Sequence, residues 1–425
     1  MKKYLFLLGL FFFQVICLSQ EKVNIKEYQL DIKYLKDSLP TKHPNLFFYK
    51  SKEQFDSSLD KIATDQNLSS NNALTIQMQL REAIAGIGDP HTNFGFYESI
   101  DKEGYFPLEI YWFDDGIWII GADEKYKSAI GKKLVAINDV TIDEVIKRVS
   151  KVVPKNEPYF ARKRMHYFLM SHGILKAYEI TDKNQVRFVL EDAKGKKETV
   201  LVQPKIDEYI VDNFSHLDNP PFFWQSPQSD ETILFQQKYF ERDSILFIQY
   251  NSCWGRELEE RFRDKEAAKT MPYFSDFKNK IFETLSNKPV KKILFDLRFN
   301  GGGSSPQGTR LVEELAKVKE INQKGKLFVA ISEHTFSSAV INAMNFRQMT
   351  NAIIVGKPSG GAPNHYGEVR PLVLPKTKLE VYHSTKYFKY IDEDINAVIP
   401  DVQIEMKYSD IINGKDQVYE FVKKY

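Results

Sequence analysis

Lys292-Ile293-Leu294-Phe295-Asp296-Leu297-Arg298-Phe299-Asn300-Gly301-Gly302-Gly303 decides the reading of this chain. The first four residues form an apolar strand, and three glycines at its end free backbone N–H groups to point outward, the arrangement that stabilises an oxyanion. Further on, a second apolar strand, Lys326 to Ile331, ends in His334-Thr335-Phe336-Ser337-Ser338-Ala339, followed by the helical pattern Val340 to Phe346. A serine at a helix start beside a glycine cradle can serve acyl transfer. It is also what an ordinary N-cap looks like, so neither motif carries chemistry by itself.

Working outward, the strand Ile245 to Tyr250, a helix over Tyr273 to Leu285 and the strand at Ile293 follow a βαβ rhythm, which predicts an α/β unit on a largely parallel sheet. Before it lies a helical region over about 25–87, with Leu74, Met78 and Leu80 to Ile84 at helical spacing, broken at Gly86 and Gly88. It ends in the loop Gly88-Asp89-Pro90-His91-Thr92. From Tyr105 to Val149, strand-like runs (Leu108 to Trp112, Ile117 to Ile120) precede the segment Ile130 to Asp139 and an amphipathic Ile142 to Val149. The stretch over about 150–240 is rich in Pro, Asn and Asp around His216 to Pro227 and lacks periodicity, so it is expected to connect and to form a lid.

With 425 residues, 42% hydrophobic and 27% charged, the chain is expected to build a substantial core in two or three units. Residues 1–19 read as a secretory signal: Lys2 and Lys3, then an apolar run from Tyr4 to Ile16 too short to span a bilayer, then Cys17-Leu18-Ser19 as the cut site. Their removal takes two lysines and no acid and leaves acidic and basic side chains balanced, which gives no footing for nucleic acid. Cys253 then stands alone, so no intrachain disulfide can form. Cys17 as a lipid-attachment site is the alternative, and the only route to a membrane; Val15-Ile16 before it disfavour that, because lipoprotein signals prefer small residues there. A secreted or periplasmic location follows.

The D-L-R-x-N-G-G-G segment, then T-F-S-S-A, then Val355-Gly356-Lys357-Pro358-Ser359-Gly360-Gly361 resemble in order and wording the C-terminal-processing (tail-specific) and tricorn-type serine peptidases, over roughly residues 27 to 420. The resemblance implies a crotonase-like α/β core with a helical N-terminal region and a PDZ-like β-rich domain. The expected division is 1–19 signal peptide, 20–98 helical region with the His91 loop, 99–205 PDZ-like domain and connection, and 206–425 catalytic core. It implies a peptide or protein substrate and no cofactor or metal.

Within the family two branches differ in chemistry. The tail-specific enzymes pair the serine with a lysine in the loop after the third motif; aligning Gly356 places Ala362 at the lysine position and Tyr366 at that of its glutamine helper, so that dyad is absent. Among eight histidines, His91 looks like the general base of the D-G-H-T motif of the tricorn-type branch, although Pro90 follows the tail-specific D-P-x-T wording. The family nucleophile lies three residues before a glutamate whose place Val340 takes, which selects Ser337. The N–H of Ser338 with Gly301 or Gly302 would form the oxyanion hole, and Gly360 and Gly361 would bind substrate. A carboxylate steadies the imidazole in that branch, and counting back from Pro400 reaches Asp394, with Glu393 and Asp392 as neighbours to test. The bland reading of these three is an acidic surface turn.

The expected activity is therefore a serine endopeptidase acting through an acyl-enzyme. A non-catalytic binder of apolar ligands or peptides on the same fold is the alternative, favoured by 31 Phe and 22 Tyr, although aromatics mostly fill cores. A crotonase-type acyl-thioester enzyme would not suit a secreted chain, and an α/β-hydrolase esterase lacks its G-x-S-x-G around Ser337.

Overall fold

The structure, a computed structural model, describes residues 24–65, 73–95, 100, 102–206, 214–217, 220–224 and 233–425. The signal segment and Cys17 lie outside them. None of the described helices is long and apolar enough to cross a membrane.

Three sheets organise the chain. Strands β1 (Asn93–Phe94), β2 (Leu108–Phe113), β3 (Gly116–Asp123), β4 (Lys133–Ile137), β5 (Val140–Thr141), β6 (Val186–Glu191), β7 (Lys197–Val202) and β8 (Phe214–His216) precede the α/β unit. That unit holds β9 (Phe235–Phe240), β10 (Ile245–Tyr250), β11 (Lys292–Asp296), β12 (Leu327–Ile331), β13 (Ile353–Gly356) and β16 (Val402–Gln403), while β14 (His365–Val373) and β15 (Glu380–Phe388) form a hairpin. The large sheet runs β16-β13-β12-β11-β10-β9, parallel except for β9 at its edge. Helices Phe274–Asn287, Ser305–Ala316 and Ser338–Met349 link its central strands.

Continuous apolar strands demand cover on both faces. Leu246, Ile248, Phe295 and Val329 pack under those crossover helices. Phe247, Leu294 and Phe328, pointing the other way, meet Tyr111, Phe113 and Trp118 of the second sheet and Tyr408, Val418 and Val422 from the C-terminal helices. The second sheet, β2-β3-β4-β6-β7 with β5 beside β4 and β8 beside β3, includes three strands, β6, β7 and β8, from the stretch expected to be irregular. That expectation fails further: the same stretch contains the helix Pro158–Met170.

The third sheet carries the N-terminal loop to the α/β unit. Asn93 and Phe94 pair antiparallel with Tyr382 and Val381, so the residues just before them are fixed against a hairpin nearly three hundred positions later. Leu35, Leu39, Phe55 and Ile84 of the N-terminal helices close a core with Phe94, Leu372 and Val381 on the same hairpin.

Candidate active site

The two glycine- and serine-bearing loops leave the carboxyl ends of the adjacent parallel strands β11 and β12, the edge at which open α/β sheets bind ligands. Buried Arg298 locks the first loop: its guanidinium binds both Asp296, at 2.7 Å, and Asp416 of the C-terminal segment, also at 2.7 Å. Asn300 then ties the glycines down, donating to the Tyr250 carbonyl at 2.8 Å and accepting from the Gly302 N–H at 2.9 Å. Its own carbonyl accepts from the Phe336 N–H at 3.0 Å, which joins the glycine loop to the serine turn. The turn is braced by Thr335, whose hydroxyl donates to the Leu297 carbonyl at 2.8 Å.

Ser337 sits immediately before the helix Ser338–Met349 with φ 54° and ψ −124°, a conformation that costs a non-glycine residue about 1–3 kcal/mol. Its hydroxyl makes no hydrogen bond among the described residues, while the Ser338 hydroxyl donates to the Gly303 carbonyl at 2.9 Å. Ser338 is thereby committed to bracing the cradle, and Ser337 is left as the half-buried, unbonded hydroxyl at the helix start. The N–H groups of Gly301 and Ser338 meet no acceptor among the described residues, whereas that of Gly302 is taken by Asn300. This narrows the expected oxyanion pair to Gly301 and Ser338. Gly302 has another necessity: a Cβ there would lie 2.8 Å from that of Ser337.

His91 comes to the same place. Its ring stacks on Phe336, the residue before Ser337, at 4.5 Å between centroids, and faces His365 at 5.6 Å. Neither ring nitrogen has a hydrogen-bond partner among the described residues, so the structure brings His91 beside the serine turn without closing a Ser337–His91 bond. Burial lowers its pKa to about 4, with Asp89 acting against the shift and His365 and Lys163 adding to it. A neutral imidazole can accept a proton at neutral pH.

The structure forms no bond between Asp394 and this ring. Asp394 is exposed, beside a cavity of about 730 Å³ also lined by Asp89, Glu157 and His365. Glu393 and Asp392 are exposed as well, and Asp392 pairs with Lys389. The backbone around them follows an open turn because Asn364 accepts the N–H groups of Tyr390 and Ile391 and donates to the carbonyls of Ile391 and Glu393. Gly360 and Gly361 are buried packing elements. A Cβ on Gly360 would come 2.0 Å from the Glu333 carbonyl oxygen, and Gly361 rests on the Phe336 ring.

The carboxylate nearest His91 Nδ1 is Asp89, at 3.9 Å. Asp89 is fully enclosed and accepts from His43 Nε2 at 3.1 Å, the His91 N–H at 2.9 Å, and the Thr92 and Ser384 hydroxyls at 2.6 Å each. Burial alone would raise its pKa; His43, the nearby His91 and the two hydroxyls outweigh it and hold the group at about 2. Glu157 lies nearby, its pKa pushed up to about 8 by burial and by the charges of Asp89 and Asp394. Lys357, a cation near the loops, is paired with Asp114 at 2.7 Å.

No family model matches the chain and no curated protein matches it. Solved structures do. Mature CPAF superposes with a TM-score of 0.67 at 14% identity over 94% of this chain and 97% of that one. The chain has the CPAF fold. The structure of mature CPAF complexed with lactacystin gives the same picture, with a TM-score of 0.66 at 14% identity and equal coverage.

Proposed function

We propose that this chain is a serine endopeptidase of the tail-specific and tricorn-type family, with a crotonase-like core around β10 to β13 and a PDZ-like domain built on β2 to β7. The observation that carries it is Ser337: a left-handed serine at a helix start, with a free hydroxyl and unengaged N–H groups of Gly301 and Ser338 close by. Strain of this kind persists only where surrounding structure imposes it, and here Asn300 and Thr335 do so from two directions. In the proposed reaction Ser337 attacks a peptide carbonyl, His91 takes the proton and returns it to the leaving amine, and the two N–H groups hold the developing charge. Asp89 fixes the backbone of His91 and supplies the nearest negative charge. Closure of the Ser337–His91 bond would accompany substrate binding, since apo geometries are often looser. We also propose that the chain is exported to the periplasm or medium, with Cys17 lipidation as the variant that would tether it.

The test is hydrolysis of a fluorescein-labelled protein substrate by the mature chain. Ser337→Ala should abolish it and Ser338→Ala should retain it. Hydrolysis equal in wild type and Ser337→Ala would remove Ser337 from the chemistry, and none in any preparation would leave a binder on the same fold.

A further inference from the structure

Beside the serine turn lies a cavity of about 350 Å³, walled by Phe160, Phe168 and Phe336, with His91 at one side and Lys163 and Arg164 facing it. Lys163 comes from the helix Pro158–Met170. Its ammonium sits 4.7 Å over the Phe336 ring and 3.5 Å from where a Cβ on Gly301 would be, which puts it against both halves of the proposed catalytic cradle. Among the described residues it makes no ion pair and no hydrogen bond, and no carboxylate lines the cavity.

An ammonium in apolar surroundings without a counter-charge is costly, and proteins ordinarily supply a partner from their own chain. Here the place next to it is empty space of a size that accepts a side chain. The surrounding rings lower the local dielectric and would strengthen any ion pair formed there. Burial, with some help from Arg164, already pulls the Lys163 pKa down to about 7, the response of a cation that lacks its anion. A role as general base is less well served, because the Lys163 ammonium is turned onto the Phe336 ring and toward Gly301.

We infer that this cavity is a specificity pocket for a substrate carboxylate, bound by Lys163 between the aromatic walls. The inference rests on reading Ser337 as the nucleophile of a peptidase, and it adds the substrate class: peptides that present an Asp or Glu side chain close to the cleaved bond.

The experiment separates a side-chain carboxylate from one at the chain end. Ser337→Ala protein, which binds without cleaving, is immobilised and exposed to a peptide library, half with free C-termini and half amidated, and the retained peptides are identified by mass spectrometry. Enrichment of Asp and Glu in the amidated half is the expected result; retention that is lost on amidation would assign the pocket to the chain end and overturn the inference. Lys163→Met in the same background should reduce the preference at least tenfold, and Lys163→Arg should keep part of it. A retained pool indifferent to carboxylates, no retention of any peptide, or a preference that survives Lys163→Met overturns the inference. Melting curves of each variant confirm that the fold is intact. Fluorophosphonate labelling of the wild-type chain reports separately on the peptidase reading, so the two can fail independently.

Discussion

Gly302→Ala should silence the site by displacing Ser337, and the geometry of the loop sets the size of the effect. A Cβ at Gly302 would meet the Ser337 Cβ at 2.8 Å, the Phe336 carbonyl oxygen at 3.0 Å and the Ser338 nitrogen at 3.2 Å, all short of the 3.4 Å at which ordinary contact begins. Two of these neighbours are backbone atoms of a turn already pinned by Asn300 and Thr335, so they cannot yield cheaply. Gly302 also has φ +109°, and holding alanine there costs about 1–3 kcal/mol. Overpacking adds about 1–3 kcal/mol. A shift of the serine by even a fraction of an ångström misaligns it, and displacements near 1 Å cost about 100-fold in rate. Gly301→Ala is the control: its φ is not left-handed, and its new Cβ would find only the Lys163 ammonium at 3.5 Å. The second-order rate of fluorophosphonate labelling, with a urea midpoint for each variant, decides the matter. Gly302→Ala should label about 100-fold slower and unfold earlier, with Gly301→Ala near wild type in stability. Gly302→Ala labelling at the wild-type rate would refute the claim that this glycine sets the nucleophile.

His91→Ala should lower peptide-hydrolysis kcat by several orders of magnitude with little change in melting temperature; activity retained there and lost in Lys357→Ala would move the base to a lysine. Asp394→Asn should change activity and stability little, as surface substitutions do, within about 0.5 kcal/mol. Asp89→Asn should destabilise by about 3 kcal/mol or more, because it breaks a buried charge held by four donors; the reverse ranking would restore Asp394 as the triad acid. Stability should fall as pH drops from 6.5 towards 4: His91 at about 4 and His166 and His334 at about 3 bind protons later than in the unfolded chain, so the unfolded state takes up more protons in that window. His91 accounts for about 3 kcal/mol of this, present above pH 6.5 and lost through pH 4. Glu157 works in the opposite sense, so the urea midpoints of wild type and His91→Gln are compared across pH, and equal slopes would contradict the assignment.

The core was legible because its signals are local. Strand Ile245–Tyr250 and helix Ile142–Val149 occur where alternation and amphipathy place them, and the glycine loop and serine turn follow strands whose apolar runs are unmistakable. The site was only partly legible, because its parts meet through long-range pairing. Nothing in Gly88 to Thr92 announces that β1 joins β15, or that Ser384 and His43 converge on Asp89. Asp394 was reached by counting along the chain from Pro400, and counting does not register the outward turn that Asn364 imposes. Lys163 was hidden in a helix with no clean apolar stripe: Phe160, Met165, Phe168 and Leu169 surround it while Arg162, Lys163 and Arg164 interrupt the middle. The segment's apolar residues pack against the second sheet on one side and against Phe336 of the serine turn on the other.

The central claim is that Ser337 is an activated nucleophile, and the most direct measurement is the site of covalent attachment of a fluorophosphonate on the mature chain. Peptide mapping by mass spectrometry should place the adduct on Ser337, with no adduct on Ser337→Ala and undiminished labelling of Ser338→Ala. An adduct on Ser338 would contradict the account by one residue, and an intact protein free of adduct would contradict it altogether.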